Sequence, residues 1–158
     1  MGSSIFLPRG ADSETAGFLA RLYDDEVATV LAYTEARRYA AGELAIRHGD
    51  ADRGLYIVTA GAFEVLVPTP AGAQRAAVLR PGDVFGDLAF FDGRPRSADV
   101  RAVGDAEALI MAPAGFDRLR LAEPRLALVF ALDLGRILSV RFRALSDRLA
   151  GLGELSRD

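Results

Sequence analysis

The sequence predicts an α+β chain, mainly β, in which a jelly-roll-like β-roll is flanked by N-terminal helices and a long C-terminal helix. Three observations carry this reading: apolar residues at three- and four-residue spacing before position 36, short β-type runs punctuated by Gly, Pro and Asp from there to about Met111, and a helical pattern without internal proline from Pro124 to Leu149.

Residues 1–12 are expected to form a flexible arm, because Met1 to Gly10 carries Pro, Gly and Ser without any period. From about Ser13 the apolar positions Phe18, Leu19 and Leu22, then Val27, Val30 and Leu31, predict two short helices, with Asp24 placed to cap the second. The runs Leu55-Tyr56-Ile57-Val58, Phe63-Glu64-Val65-Leu66-Val67, Ala76-Ala77-Val78-Leu79 and Ala108-Leu109-Ile110 predict strands, and their close spacing suggests a barrel or jelly roll. Pro124 sits where the first turn of a helix tolerates a missing N–H, so one long helix, or two broken near Gly135, closes the chain. With 158 residues and no repeat of 20 to 50 residues, 13–158 reads as a single domain.

Composition narrows the function. Apolar residues make up 51% of the chain, enough for a real core. No apolar stretch approaches the roughly 20 residues of a membrane span, and the N-terminus lacks a basic-then-apolar leader, so a cytoplasmic protein without membrane contact is expected. The absence of cysteine and the single His48 argue against disulfides, thiolate metal sites, Cys nucleophiles and His clusters. His48 reads as a polar loop residue, and neither an enzyme, a metal nor a cofactor is expected. A net charge of -3 argues against DNA as a partner. All 19 basic residues are arginine, a bias that fits a GC-rich genome, so any one arginine has to be argued from its neighbours. The acidic run Asp24-Asp25-Glu26 fits the positive end of a helix better than a metal site.

The informative segment runs from Gly82 to Val100. It leaves a strand at Gly86, has a turn or so of potential helix at Asp87 to Phe91, and returns through Gly93 and Pro95 into another strand. A glycine opening a short helix lets backbone N–H groups converge on an anion without a Cβ in the way. Arg96 supplies a planar, permanently charged fork, and the Ser97 hydroxyl and Ala98 N–H add donors. Asp87 offers an acceptor for a sugar hydroxyl, or a cap for the short helix. An anion cradle beside a hydroxyl acceptor suits a nucleotide.

This run resembles the phosphate-binding cassette of cyclic-nucleotide-binding domains, which usually reads Phe-Gly-Glu-Leu-Ala, a variable turn, then Arg-Ser/Thr/Ala-Ala. Gly42-Glu43, Gly49-Asp50, Tyr56-Ile57-Val58, Gly61 and Gly82-Asp83 extend the resemblance upstream, and it covers about residues 18 to 150. It implies that Gly86, Asp87, Leu88, Ala89, Arg96, Ser97 and Ala98 hold the cyclic phosphate and ribose of cyclic AMP or cyclic GMP, with Arg96 as the phosphate ligand. Asp87 departs from the family's Glu, and one methylene fewer draws the carboxylate back from the ribose 2′-OH. The function implied is a sensor that relays ligand state through its C-terminal helix to an effector protein. The alternative is a degenerate fold that acts as a protein-interaction module without ligand. A transcription factor of the catabolite-activator type would need a helix-turn-helix after the long helix. In that helix Leu138, Phe142, Leu145, Leu149 and Leu152 form a stripe with spacing four, three, four, three, which predicts a homodimer seam.

Overall fold

The computed structural model describes residues 17–155, and of residues 152–155 the backbone alone. The arm at 1–12 and the start of the first predicted helix lie outside the described residues. Two four-stranded antiparallel sheets form the roll. One has the order β1 (Glu35–Tyr39), β8 (Ala106–Met111), β3 (Leu55–Ala60), β6 (Val84–Phe85), and the other β2 (Leu44–Ile46), β7 (Asp99–Ala102), β4 (Phe63–Thr69), β5 (Gly72–Leu79). Helix α1 (Asp24–Leu31) precedes the roll, α2 (Asp87–Asp92) interrupts it, and α3 (Pro113–Ala122) and α4 (Pro124–Leu155) follow.

All four predicted runs fall in strands, and β3 explains why its run is continuously apolar. Successive side chains point to opposite faces. Leu55 and Ile57 enter a core shared with the helices, while Tyr56 and Val58 enter the interior of the roll. Strand β8 divides in the same way, with Leu109 and Met111 toward the helices and Ala106 and Ala108 inward. The small inward residues of β8 leave space for a ring cluster in which Phe63 lies 5.4 Å from Tyr39 and 5.1 Å from Phe85, and Tyr56 stacks on Phe85 at 4.7 Å.

Acidic turns shape the roll at one end. In Ala40–Glu43 and Arg80–Asp83 the acid at the fourth position accepts the first residue's N–H, at 3.0 and 2.8 Å. Gly61 has φ 71°, and a Cβ there would lie 2.4 Å from the Asp105 carbonyl oxygen, so this turn requires glycine.

The helices differ from expectation in two places. Residues 18–22 form turns rather than a helix. Phe18, Leu19 and Leu22 are buried nonetheless; Phe18 packs edge-on against Phe130 at 5.0 Å, and the Leu19 N–H donates to the Asp133 carboxylate at 2.6 Å. Their three- and four-residue spacing reflects packing on α4, not a helix of their own. Asp24 is the first helical residue of α1 and Tyr23 its N-cap, whose N–H donates to Glu26 at 2.9 Å. Helix α4 begins at Pro124 and runs 32 residues without a break at Gly135. Leu126, Ala127, Phe130 and Leu134 bury its first half, whereas beyond Ile137 it projects along the mouth of the roll. No helix among the described residues is long and apolar enough to cross a membrane.

Candidate functional site

Strand β6 ends at Gly86, the N-cap of α2, with φ 80°. A Cβ there would lie 2.7 Å from Arg96 Nη1 and 2.8 Å from the Gly54 carbonyl oxygen, so glycine is what lets the arginine pass beneath the helix start. The N–H groups of Asp87, Leu88 and Ala89 stand in the first turn, where a helix offers no internal acceptor. The first intrahelical bond runs from the Phe90 N–H to the Gly86 carbonyl at 3.2 Å.

Arg96 is 3% exposed and held from two sides. Its backbone is clamped by the turn at Arg47–Asp50, donating to the Asp50 carbonyl and accepting from the Gly49 N–H, both at 2.9 Å. The Gly49-Asp50 pair therefore serves the site by fixing where Arg96 leaves the chain. Its guanidinium donates through Nη1 to the Gly86 carbonyl at 3.0 Å and through Nη2 to the Gly54 carbonyl at 2.8 Å and the Asp52 carboxylate at 2.5 Å. The Tyr56 ring lies 5.7 Å from the guanidinium carbon. A guanidinium has five N–H donors, and Nε is buried without a partner. Arg94, two residues earlier, is exposed.

The charges around Arg96 are set by burial and pairing. Burial opposes ionisation of Asp52, but the hydrogen bonds from Arg96 and the Gly54 N–H, with the guanidinium charge, prevail and hold its pKa below the usual carboxylate range. Burial first, and then the Asp52 charge, push the Tyr56 hydroxyl up to about 12. Tyr56 is therefore a neutral donor to Asp52, at 3.3 Å, throughout the physiological range.

Asp87 is the first residue of α2, directly after the N-cap Gly86. Its carboxylate is buried and accepts from Arg141 Nη1 of α4 at 2.8 Å, while Arg141 Nη2 donates to the Val84 carbonyl at 2.5 Å. One arginine thus ties α4 to β6 and to the start of α2.

All seven residues singled out from the sequence, Gly86, Asp87, Leu88, Ala89, Arg96, Ser97 and Ala98, line one cavity of about 620 Å³. Ile46, Val65, Leu79 and Val100 form part of its wall on the roll, and Leu138, Arg141, Phe142, Leu145 and Arg148 of α4 line it from the helix. A buried cation, the first turn of a short helix and apolar side chains meet at this cavity, an arrangement that can accommodate a small anion with an apolar body. Sequence reasoning missed Asp52, Gly54 and Tyr56, which support Arg96 from another strand and loop. It also missed Arg141 and Arg148, although Leu138, Arg141, Leu145 and Arg148 recur at three, four and three, the spacing of one helix face.

The family model for the cyclic nucleotide-binding domain matches residues 36–123, which hold both sheets except Glu35 at the start of β1, and the segment Gly86–Ala98. The chain is 35% identical over 91 residues to the cyclic AMP receptor protein of Thermus thermophilus, covering 57% of this chain and 42% of that one. It is also 35% identical over 86 residues to the cAMP-dependent protein kinase regulatory subunit of Blastocladiella emersonii, covering 54% of this chain and 21% of that one. The chain thus spans less than half the length of these curated relatives. The crystal structure of Thermus thermophilus catabolite activator protein superposes with a TM-score of 0.75 at 29% identity, covering 84% of this chain and 61% of that one. With the roll, the glycine-led α2 and the buried Arg96 all in the matched span, the chain belongs to the cyclic nucleotide-binding domain family.

Proposed function

We propose that this chain is a sensor that binds cyclic AMP or cyclic GMP in the cavity at α2 and passes ligand state through α4 to a partner. Arg96 is the observation that carries the reading. A buried N–H without an acceptor costs about 1 to 3 kcal/mol, and an anion at the cavity floor supplies the acceptor that Arg96 Nε lacks. Gly86, Asp87, Leu88, Ala89, Ser97 and Ala98 surround the same floor. The carboxylate lining the cavity, Asp87, is already bonded to Arg141, which favours binding over turnover. The build of α4 supports the relay reading: its first half is packed, and its second half meets the roll through Arg141 and the apolar side chains over the cavity. A ligand that favours one arrangement of that second half shifts the helix.

Calorimetric titration with cyclic AMP and cyclic GMP tests the proposal. Saturable binding of one nucleotide per chain is expected. A well-folded protein that binds neither would leave the protein-interaction module as the better reading.

The same helix supports a homodimer. Leu138 is partly buried over the cavity, while Leu128, Leu132, Ser139, Phe142, Ser146 and Leu149 are exposed and, with the half-buried Gly135 between Leu132 and Ser139, follow one another at alternating steps of four and three. Leu132 is 66% and Leu149 61% exposed, and neither lines the cavity. Replacing both with Glu is expected to give a folded monomer in sedimentation where the unaltered chain is a dimer. A monomeric unaltered chain at high micromolar concentration would defeat the seam.

A further inference from the structure

We infer that Tyr56 is a positioning residue for the cation of the cavity: its hydroxyl fixes the Asp52 carboxylate, and through that acid the orientation in which Arg96 meets a ligand anion. The inference rests on the cyclic-nucleotide reading of the cavity. Three of the five guanidinium N–H groups of Arg96 are taken, and their acceptors differ in kind. The Gly86 and Gly54 carbonyls belong to the backbone. Asp52 is a side chain on the connection between β2 and β3, more than half exposed, yet it makes the shortest of the three bonds and the charged one. A carboxylate so open to water keeps one place beside the arginine only if other donors hold it there.

Two donors do so. The Gly54 N–H bonds Oδ1 at 3.2 Å, and the Tyr56 hydroxyl bonds Oδ2, the oxygen that accepts from Arg96, at 3.3 Å. The hydroxyl has one proton, and the charged oxygen of Asp52 competes for it better than the Ala45 carbonyl at 3.4 Å. Tyr56 is itself fixed. It is buried in β3 opposite Phe85 of β6, its ring stacks on Phe85 at 4.7 Å, and the guanidinium carbon lies 5.7 Å from that ring. Phe85 is directly followed by Gly86, whose carbonyl takes Arg96 Nη1. A single strand pair thus sets one backbone acceptor of the guanidinium and, through the Tyr56 hydroxyl, its side-chain acceptor. Tyr56 does this without lining the cavity.

Tyr56→Phe keeps the ring and removes the hydroxyl. Water can replace that donor at the exposed Asp52, so melting is expected to change little, while cyclic AMP or cyclic GMP is held about three- to tenfold more weakly in calorimetry. Two readouts separate positioning from packing. In an Asp52→Ala background Tyr56→Phe should cost less than about twofold, since the hydroxyl acts through that acid alone. In the nucleotide-free chain the Arg96 Nε–H should give a sharp NMR signal that broadens in Tyr56→Phe and in Asp52→Ala alike. Equal losses of affinity in the two backgrounds would overturn the inference, because the ring packing would then be what matters. An unchanged affinity or an unchanged Arg96 signal in Tyr56→Phe would overturn it as well. If the folded, unaltered chain binds neither nucleotide, it is the cyclic-nucleotide reading that fails, and the Arg96 signal still decides whether Tyr56 orients the arginine.

Discussion

Replacing Arg96 with alanine is expected to weaken cyclic-nucleotide binding by about 2 to 5 kcal/mol, roughly thirtyfold to several thousandfold, while Arg94→Ala costs under about 1 kcal/mol. The two arginines lie two residues apart, but one is 3% exposed and clamped at both backbone and side chain, and the other is open to solvent. A phosphate at the cavity floor leaves water, so the unpaired anion, not merely a lost contact, sets the size of the effect. Arg96→Lys should recover only part of the loss, because an ammonium cannot span the Gly86 and Gly54 carbonyls, Asp52 and the phosphate together. Calorimetry on variants whose melting shows them folded makes the measurement, and equal losses at 94 and 96 would defeat the assignment. A second readout reports the pair directly. The Asp52 pKa is depressed in the folded chain, so the stability this pair contributes is present at neutral pH and is lost as pH falls through that depressed value. In Arg96→Ala that acid-range dependence should shrink. Asp52 is 56% exposed at its side chain, so the effect on the melting curve is modest beside the effect on binding.

What the sequence discloses and what it hides divide along the chain's local and non-local contacts. The cavity residues from Gly86 to Ala98 are legible because they are contiguous: a glycine, a short helix, a return and an arginine impose their geometry on one another within 13 positions. Strands β3 and β4 are legible because burial on one or both faces writes itself into consecutive residues. Residues 18–22 mislead for the opposite reason. Their apolar spacing matches a helix, yet the pattern is set by Phe130 and Asp133 more than a hundred positions away, and Leu19 adopts φ 63°, outside any helix. Asp52 and Arg141 escape notice for the same cause. Each is one acid or one arginine among many, and only closure of the roll brings Asp52 to Arg96 and α4 to Asp87. The stripe on α4 is visible in the sequence, but periodicity alone does not fix which neighbouring face turns toward the roll. Leu138 and Arg141 settle that once their contacts are known.

The Asp87–Arg141 pair is expected to act as one unit, so Asp87→Ala and Arg141→Ala should each loosen α4 from position 138 onward and the double variant should be little worse than either alone. Both side chains are needed for the contact at 2.8 Å, and Arg141 also holds the Val84 carbonyl, so the pair joins the lid of the cavity to its floor. Asp87 is 10% exposed at its side chain and Arg141 39%, which places the coupling between that of a surface ion pair and a buried one, about 1 to 2 kcal/mol in a double-mutant cycle. Shortness is what fits the acid to this position: the longer side chain of Asp87→Glu has to enter a buried space already filled by the guanidinium, so the pair must part or α4 must shift. Amide exchange resolved along α4, with and without cyclic nucleotide, makes the measurement. Faster exchange from Leu138 onward in each single variant, with no further gain in the double, is the expected pattern. Additive effects, or unchanged exchange in Arg141→Ala, would show that the apolar contacts of Leu138, Phe142 and Leu145 hold the helix alone. With the pair acting as a unit, Arg141 carries any strain imposed by a ligand at Asp87 directly into the second half of α4.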